Sequence, residues 1–171
     1  MLEDWERSLE QEGIKLAFLP SVASVKVKMT KRFENKEKAE ATFSKKIEEF
    51  RQYADKYVFG YDNDTLENVI GDLLRKNRQT LSTAESCTGG YISHRITSVS
   101  GSSEYYKGSI ISYSNEVKEK ELNVSKENLK KKGAVSKEVV EEMATGVKKR
   151  TNTDWSIAVT GIAVPDGGTQ H

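Results

Sequence analysis

Residues 80 to 96, TLSTAESCTGGYISHRI, crowd hydroxyls, a thiol and a glycine pair into one junction between a strand pattern and a helix pattern. A strand ending at Ser86 delivers that side chain to the carboxyl edge of a sheet, where the active sites of open α/β sheets gather. With a helix opening at about Thr88, Gly89 and Gly90 remove Cβ bulk beside its first amides. Such amides lack intrahelical partners and sit at the positive end of the helix dipole. They could hold a phosphate, or the oxyanion of a tetrahedral acyl-transfer intermediate. The structural alternative is that Ser86 and Thr88 merely cap the helix while the glycines permit close packing.

A nucleophilic Ser86 needs a proton acceptor. The chain has 2 histidines. His171 is the final residue, and His94 falls well inside the helix that begins beside Ser86, so neither suits a Ser-His-Asp triad; the G-x-S-x-G elbow is absent too. Lysine can serve where burial and neighbours lower its pKa. The segment ISYSNEVKEK offers Tyr113 at a strand end and Lys118 in the first turns of the following helix. Read alone, the residues favour the structural alternative: Tyr113 as a half-buried strand residue and Lys118 as one surface lysine among many. Cys87, the single cysteine, could be acidified at a helix N-terminus, or could simply be buried. A third cluster, AVTGIAVPDGGT, ends a strand at Thr160 and runs into an amide-rich loop able to wrap a phosphate or ribose. It has neither the Walker A lysine nor the G-x-G-x-x-G order. No cluster has metal-ligand spacing, so neither a metal nor another cofactor is expected.

These candidates need a sheet to bring them together. Residues 14–33 read as two strands, the second with Val25, Val27 and Met29 on one face and Lys26 and Lys28 on the other. Residues 35–58 read as one helix, with Ala39, Phe43, Ile47, Phe50 and Ala54 at helical spacing. VFGYDND then reads as a short strand running into a turn. Residues 1–62 are thus expected to form a small α+β domain, with 12 basic and 12 acidic residues in balance. From residue 63 helices and strands alternate. A helix is capped by Asp62 or Asp64 and carries Leu66, Val69, Ile70, Leu73 and Leu74; strands follow at 79–85, 109–114 and 155–162. Helices are expected over 115–122, 125–132 and 136–150. This alternation predicts an α/β class, a layered α/β/α domain over 63–171 with a partly parallel sheet. The charged content of 31% and net charge of +1 suit a globular chain and offer no bulk attraction to nucleic acid or membrane. No apolar run approaches the length of a membrane span, and the acidic first residues lack a signal core, so a cytoplasmic location is expected.

Taken in order, TAESCTGG, GSSEYYKGSIISYSNEVK, KKGAVSKE and AVTGIAVPDGGT resemble the C-terminal domain of the CinA (competence/damage-inducible protein A) family, a nicotinamide mononucleotide deamidase. The preceding residues resemble that family's small KH-like middle domain. The resemblance implies hydrolysis of the carboxamide of nicotinamide mononucleotide to nicotinate mononucleotide and ammonia, without a cofactor. Ser86 matches the proposed nucleophile, and Tyr113 and Lys118 match the Y-[ST]-N-x-x-K motif. That match implies a catalytic pair in which Lys118, assisted by Tyr113, accepts the hydroxyl proton and later helps protonate the leaving ammonia. Amides at Thr88, Gly89 and Gly90 are then expected at the oxyanion, and Glu85, Asn115, Thr160, Gly161, Gly167 and Gly168 against the nucleotide substrate. A homodimer is implied as well. Two departures stand out. Val164 replaces the glycine of G-I-A-G-P, and family members continue past this loop into a further strand and helix, so an open sheet edge is expected. The middle domain has no G-x-x-G loop, which argues against nucleic-acid binding. The alternative to an enzyme is a non-catalytic nucleotide-binding or assembly module.

Overall fold

The computed structural model describes residues 2–21 and 24–162. The chain forms two compact units, dividing between Phe59 and Gly60.

The first unit builds a core from three layers of local structure. Helix α1 (Leu2–Gln11) precedes an antiparallel hairpin of β1 (Lys15–Pro20) and β2 (Val25–Thr30), in which Leu16 faces Met29 and Phe18 faces Val27. Helix α2 (Lys36–Ala54) starts where the Asn35 side chain accepts the Lys38 amide at 2.9 Å. Trp5, Leu9 and Ile14 form the buried centre, with Leu16, Val27, Met29, Phe43 and Phe50 around it. The acidic first residues are therefore a packed helix, its two buried residues four positions apart and so on one face. Lys46 lies buried within α2, its ammonium 2.8 Å from Glu12 and 3.1 Å from Glu49. Residues 58–64 do not form the expected strand. Val58 closes a 3-10 turn over Asp55–Tyr57, and the Asp64 carboxylate accepts the Tyr61 amide at 2.8 Å. Asp62 adopts a positive φ of 50°, so the segment turns instead of pairing.

The second unit is an α/β/α sandwich around three parallel strands. Helix α3 (Leu66–Asn77) is capped by Thr65, whose hydroxyl accepts the Asn68 amide, and not by Asp62 or Asp64. The strands are β3 (Leu81–Glu85), β4 (Tyr106–Ile111) and β5 (Trp155–Val159), in the order β4-β3-β5. Ser82 and Ala84 point to one face and Leu81, Thr83 and Glu85 to the other. Helices α5 (Asn115–Leu122), α6 (Lys126–Lys132) and α7 (Lys137–Thr151) cover the first face, packing Leu122, Leu129, Val139, Met143 and Val147 against Ala84. Helices α3 and α4 (Tyr91–Thr97) cover the other through Leu74 and Ile96 against Leu81, Tyr105 and Tyr106. Ser114, Ser125 and Ser136 cap α5, α6 and α7 through their hydroxyls. β4 ends three residues earlier than expected because Ser114 turns the chain into α5. Among the described residues β5 has one strand neighbour, and Trp155 on it is half exposed.

Tyr105 closes the α3 side of this sandwich. Its ring is buried, its hydroxyl has no hydrogen-bond partner, and a Cβ on Gly71 would lie 2.6 Å from that oxygen. Deleting an unsatisfied buried hydroxyl removes a desolvation penalty of about 1–3 kcal/mol and leaves no partner orphaned. Tyr105→Phe is therefore expected to hold or raise the thermal midpoint, measured by circular dichroism.

Candidate functional site

The site forms at the carboxyl ends of the parallel strands. Beyond the last β3–β5 pair, the Ser86 amide donates to the Val159 carbonyl at 3.0 Å, and on the other side the Ser112 amide donates to the Glu85 carbonyl at 2.7 Å. These bonds fix Ser86 on the central strand, between both neighbours. Lys118 arrives from the start of α5, whose first turn is anchored by Ser114. Its Nζ lies 3.0 Å from Ser86 Oγ, 2.6 Å from the Ser112 carbonyl oxygen and 3.3 Å from that of Tyr113. Lys118 is 1% exposed and Ser86 7%, so the pair is shielded from water. Burial pushes the Lys118 ammonium below the ordinary lysine range, against an opposing pull from nearby Cys87.

Three oxygens thus surround Nζ. An ammonium can donate to all three, whereas a neutral amine can donate to the two carbonyls and accept from the Ser86 hydroxyl. Burial favours the neutral form. The arrangement places a hydroxyl and an amine side by side in a site shielded from water.

The turn after Ser86 differs from expectation. Helix α4 opens at Tyr91, not Thr88, because Gly89 and Gly90 take positive φ values of 58° and 100° and hold residues 86–90 in a non-helical turn. The Gly89 amide returns to the Ser86 carbonyl at 3.1 Å, and the Gly90 amide goes to the Glu85 carboxylate, also at 3.1 Å. Both amides are therefore committed and do not face an oxyanion. The amides of Cys87 and Thr88 donate to no described residue. Of the expected donors Thr88 remains, and Cys87, passed over by side-chain reasoning, joins it.

Glu85 is likewise placed inside the protein and not against a ligand. It is fully buried, and its carboxylate accepts from the Ser93, Ile92 and Gly90 amides and the Thr88 hydroxyl at 2.8 to 3.1 Å. Burial raises its pKa, but these four donors outweigh it and hold the carboxyl below the ordinary range. Tyr113 lies past the end of β4, with its side chain 74% exposed and its hydroxyl bonded to neither Ser86 nor Lys118; only its carbonyl meets the lysine. Asn115 is exposed at the first position of α5. Thr160 bonds the Ala134 carbonyl at 2.9 Å. Gly161 approaches the turn closely, since a Cβ there would meet Cys87 Sγ at 3.2 Å. Gly167, Gly168 and Val164 lie outside the described residues. His94 is exposed on α4 and takes no part in the site. Among the described residues no group of three or more His, Cys, Asp or Glu side chains could hold a metal ion. The residue missed by sequence reasoning is Ser112, which acts through a carbonyl that its side-chain type does not signal.

Known proteins are similar to this chain in sequence and in fold. The family described as "CinA C-terminal domain" matches residues 63–171. A CinA-like protein of Cytophaga hutchinsonii is 44% identical over 171 residues, 100% of this chain and 41% of that protein. A CinA-like protein of Prochlorococcus marinus (strain MIT 9215) is 48% identical over 151 residues, 88% of this chain and 36% of the relative. The chain thus spans well under half the length of these relatives. Among solved structures, the competence/damage inducible protein CihA from Agrobacterium tumefaciens aligns with a TM-score of 0.61 and 38% identity, over 66% of this chain and 68% of its own. A CinA superfamily protein from Escherichia coli aligns with a TM-score of 0.58 and 37% identity, over 68% and 69% of the two chains. With the same fold and a family match over most of its length, this chain belongs to the CinA family.

Proposed function

We propose that the second unit hydrolyses the carboxamide of nicotinamide mononucleotide, releasing ammonia and nicotinate mononucleotide. The observation that carries this reading is the buried Lys118 amine 3.0 Å from the Ser86 hydroxyl. Ser86 Oγ attacks the carboxamide carbon as Lys118 takes the hydroxyl proton. The carbonyl oxygen becomes an oxyanion beside the free Cys87 and Thr88 amides. The C–N bond then breaks, the Lys118 ammonium returns its proton to the leaving nitrogen, and ammonia departs from an acyl-serine ester. Water, giving its proton to Lys118, attacks that ester, and the Lys118 ammonium then passes the proton to the departing Ser86 oxygen, restoring the hydroxyl and the neutral amine. Throughout, the Ser112 and Tyr113 carbonyls hold the amine, which leaves the exposed Tyr113 ring free for the substrate. The test is ammonia release from nicotinamide mononucleotide by wild type and Ser86→Ala. Loss of turnover with nucleotide binding retained is expected; an unchanged rate in the variant overturns the assignment.

A further inference from the structure

The buried carboxylate beside Ser86 is spent neither on substrate nor on a cation. Glu85 sits on the last residue of β3, and its oxygens reach forward across the turn to the amides of residues 90, 92 and 93 and the hydroxyl of Thr88. It thereby occupies the exposed-amide end of α4, a place where a ligand anion would otherwise bind. Behind it, the Thr83 hydroxyl stands 3.4 Å from Oε1 and 2.5 Å from the Tyr106 hydroxyl, so the carboxylate is braced from the sheet as well. Its backbone carbonyl accepts the Ser112 amide, and Ser112 in turn holds Lys118. One residue therefore joins the turn that carries Ser86 to the strand end that carries the base.

We infer that Glu85 is a positioning residue for Ser86: an internal anion that clamps the 86–90 turn and keeps the Cys87 and Thr88 amides turned free of internal partners. Two oxygens accepting from N–H donors on both sides make the charge-bearing, acceptor-only carboxylate specific. A glutamine would present its own NH₂ to at least one backbone N–H and break the clamp. The catalytic part of the inference rests on the deamidase reading, while the clamp itself does not. A consequence is that the substrate's phosphate binds away from the α4 terminus.

Cys87, the single thiol of the chain, lies in this turn and reports on it directly. The experiment compares wild type, Glu85→Gln, Thr88→Val and Thr88→Ser for steady-state deamidation and for the rate of Cys87 alkylation by iodoacetamide. Val147→Ala, a buried α7 position, serves as a control for general destabilisation. Glu85→Gln is expected to lower kcat at least about tenfold with KM within about twofold, and to speed alkylation at least about tenfold. Thr88→Val shifts both in the same direction by less, and Thr88→Ser restores them. Val147→Ala lowers the melting temperature but changes neither. Wild-type alkylation in Glu85→Gln, or equal changes in the Val147→Ala control, overturns the inference. Should Glu85→Gln fail to fold, the Thr88 pair decides by the same criteria. Should no form deamidate the nucleotide, the proposed reaction falls while the alkylation rates still decide the clamp.

Discussion

Lys118→Met is expected to reduce ammonia release from nicotinamide mononucleotide by about 10²–10⁴-fold, the range that a positioned general base contributes. Methionine keeps most of the buried stem volume and loses the amine that faces Ser86 Oγ at 3.0 Å. Nucleotide affinity should change little, so the loss falls on kcat. Stability should fall by about 1–3 kcal/mol, because the Ser112 and Tyr113 carbonyls lose the amine that they accept from. The pH dependence follows from the direction of the Lys118 shift. Its folded pKa lies below the unfolded value, so between the two the unfolded chain holds a proton that the folded chain has released. Stability therefore gains with rising pH across that window. Lys118→Arg is no substitute: a guanidinium stays protonated and cannot accept the serine proton. A turnover rate near wild type in Lys118→Met would show that another group takes the proton.

Gly146→Ala is expected to destabilise the second unit by more than about 3 kcal/mol, beyond the ordinary range for one added methyl group. Gly146 is buried on α7 where the end of α5 crosses it. A Cβ there would drive into the Leu122 carbonyl oxygen, with the Leu122 C and Cα atoms at 2.7 and 2.8 Å. Those are backbone atoms and cannot rotate away. The sign is diagnostic, since glycine to alanine within a helix ordinarily stabilises by about 1 kcal/mol. Leu122 also closes the helix that carries Lys118, so any accommodation shifts the Lys118 amine relative to Ser86. Thermal unfolding checks the first effect, with a fall of roughly 10 °C or more anticipated from typical domain unfolding entropies.

Much of the fold is legible from periodicity because its helices carry caps and apolar stripes. Asn35, Ser114, Ser125 and Ser136 begin helices close to where their side-chain chemistry predicts. The hydrophobic run at 58–61 misleads because strand propensity needs a partner strand. Phe59 and Tyr61 instead stand half exposed in irregular chain leading into the turn that the Asp64 amide closes onto the Tyr61 carbonyl. The start of α4 departs from the sequence pattern for a different reason. Thr88 looks like a helix opening, but the glycines at 89 and 90 delay it and Glu85 supplies the anion that satisfies its amides. That choice depends on a carboxylate being buried, which residue type alone does not reveal. The meeting of Ser86 with Lys118 depends on strand order, since only β4 packed beside β3 brings α5 to the correct edge. The motif order carried that information; local pattern did not. The oxygens that aim the lysine are backbone carbonyls of Ser112 and Tyr113, which no side-chain motif encodes.

The central claim is that a neutral lysine takes the proton of Ser86. Its most direct test is the pH dependence of kcat/KM for nicotinamide mononucleotide deamidation in wild type and Lys118→Met. Wild type should show a limb rising through one ionisation below the ordinary lysine range, and the residual activity of the variant should lack it. A limb that persists unchanged without Lys118, or a rate indifferent to pH in wild type, contradicts the claim.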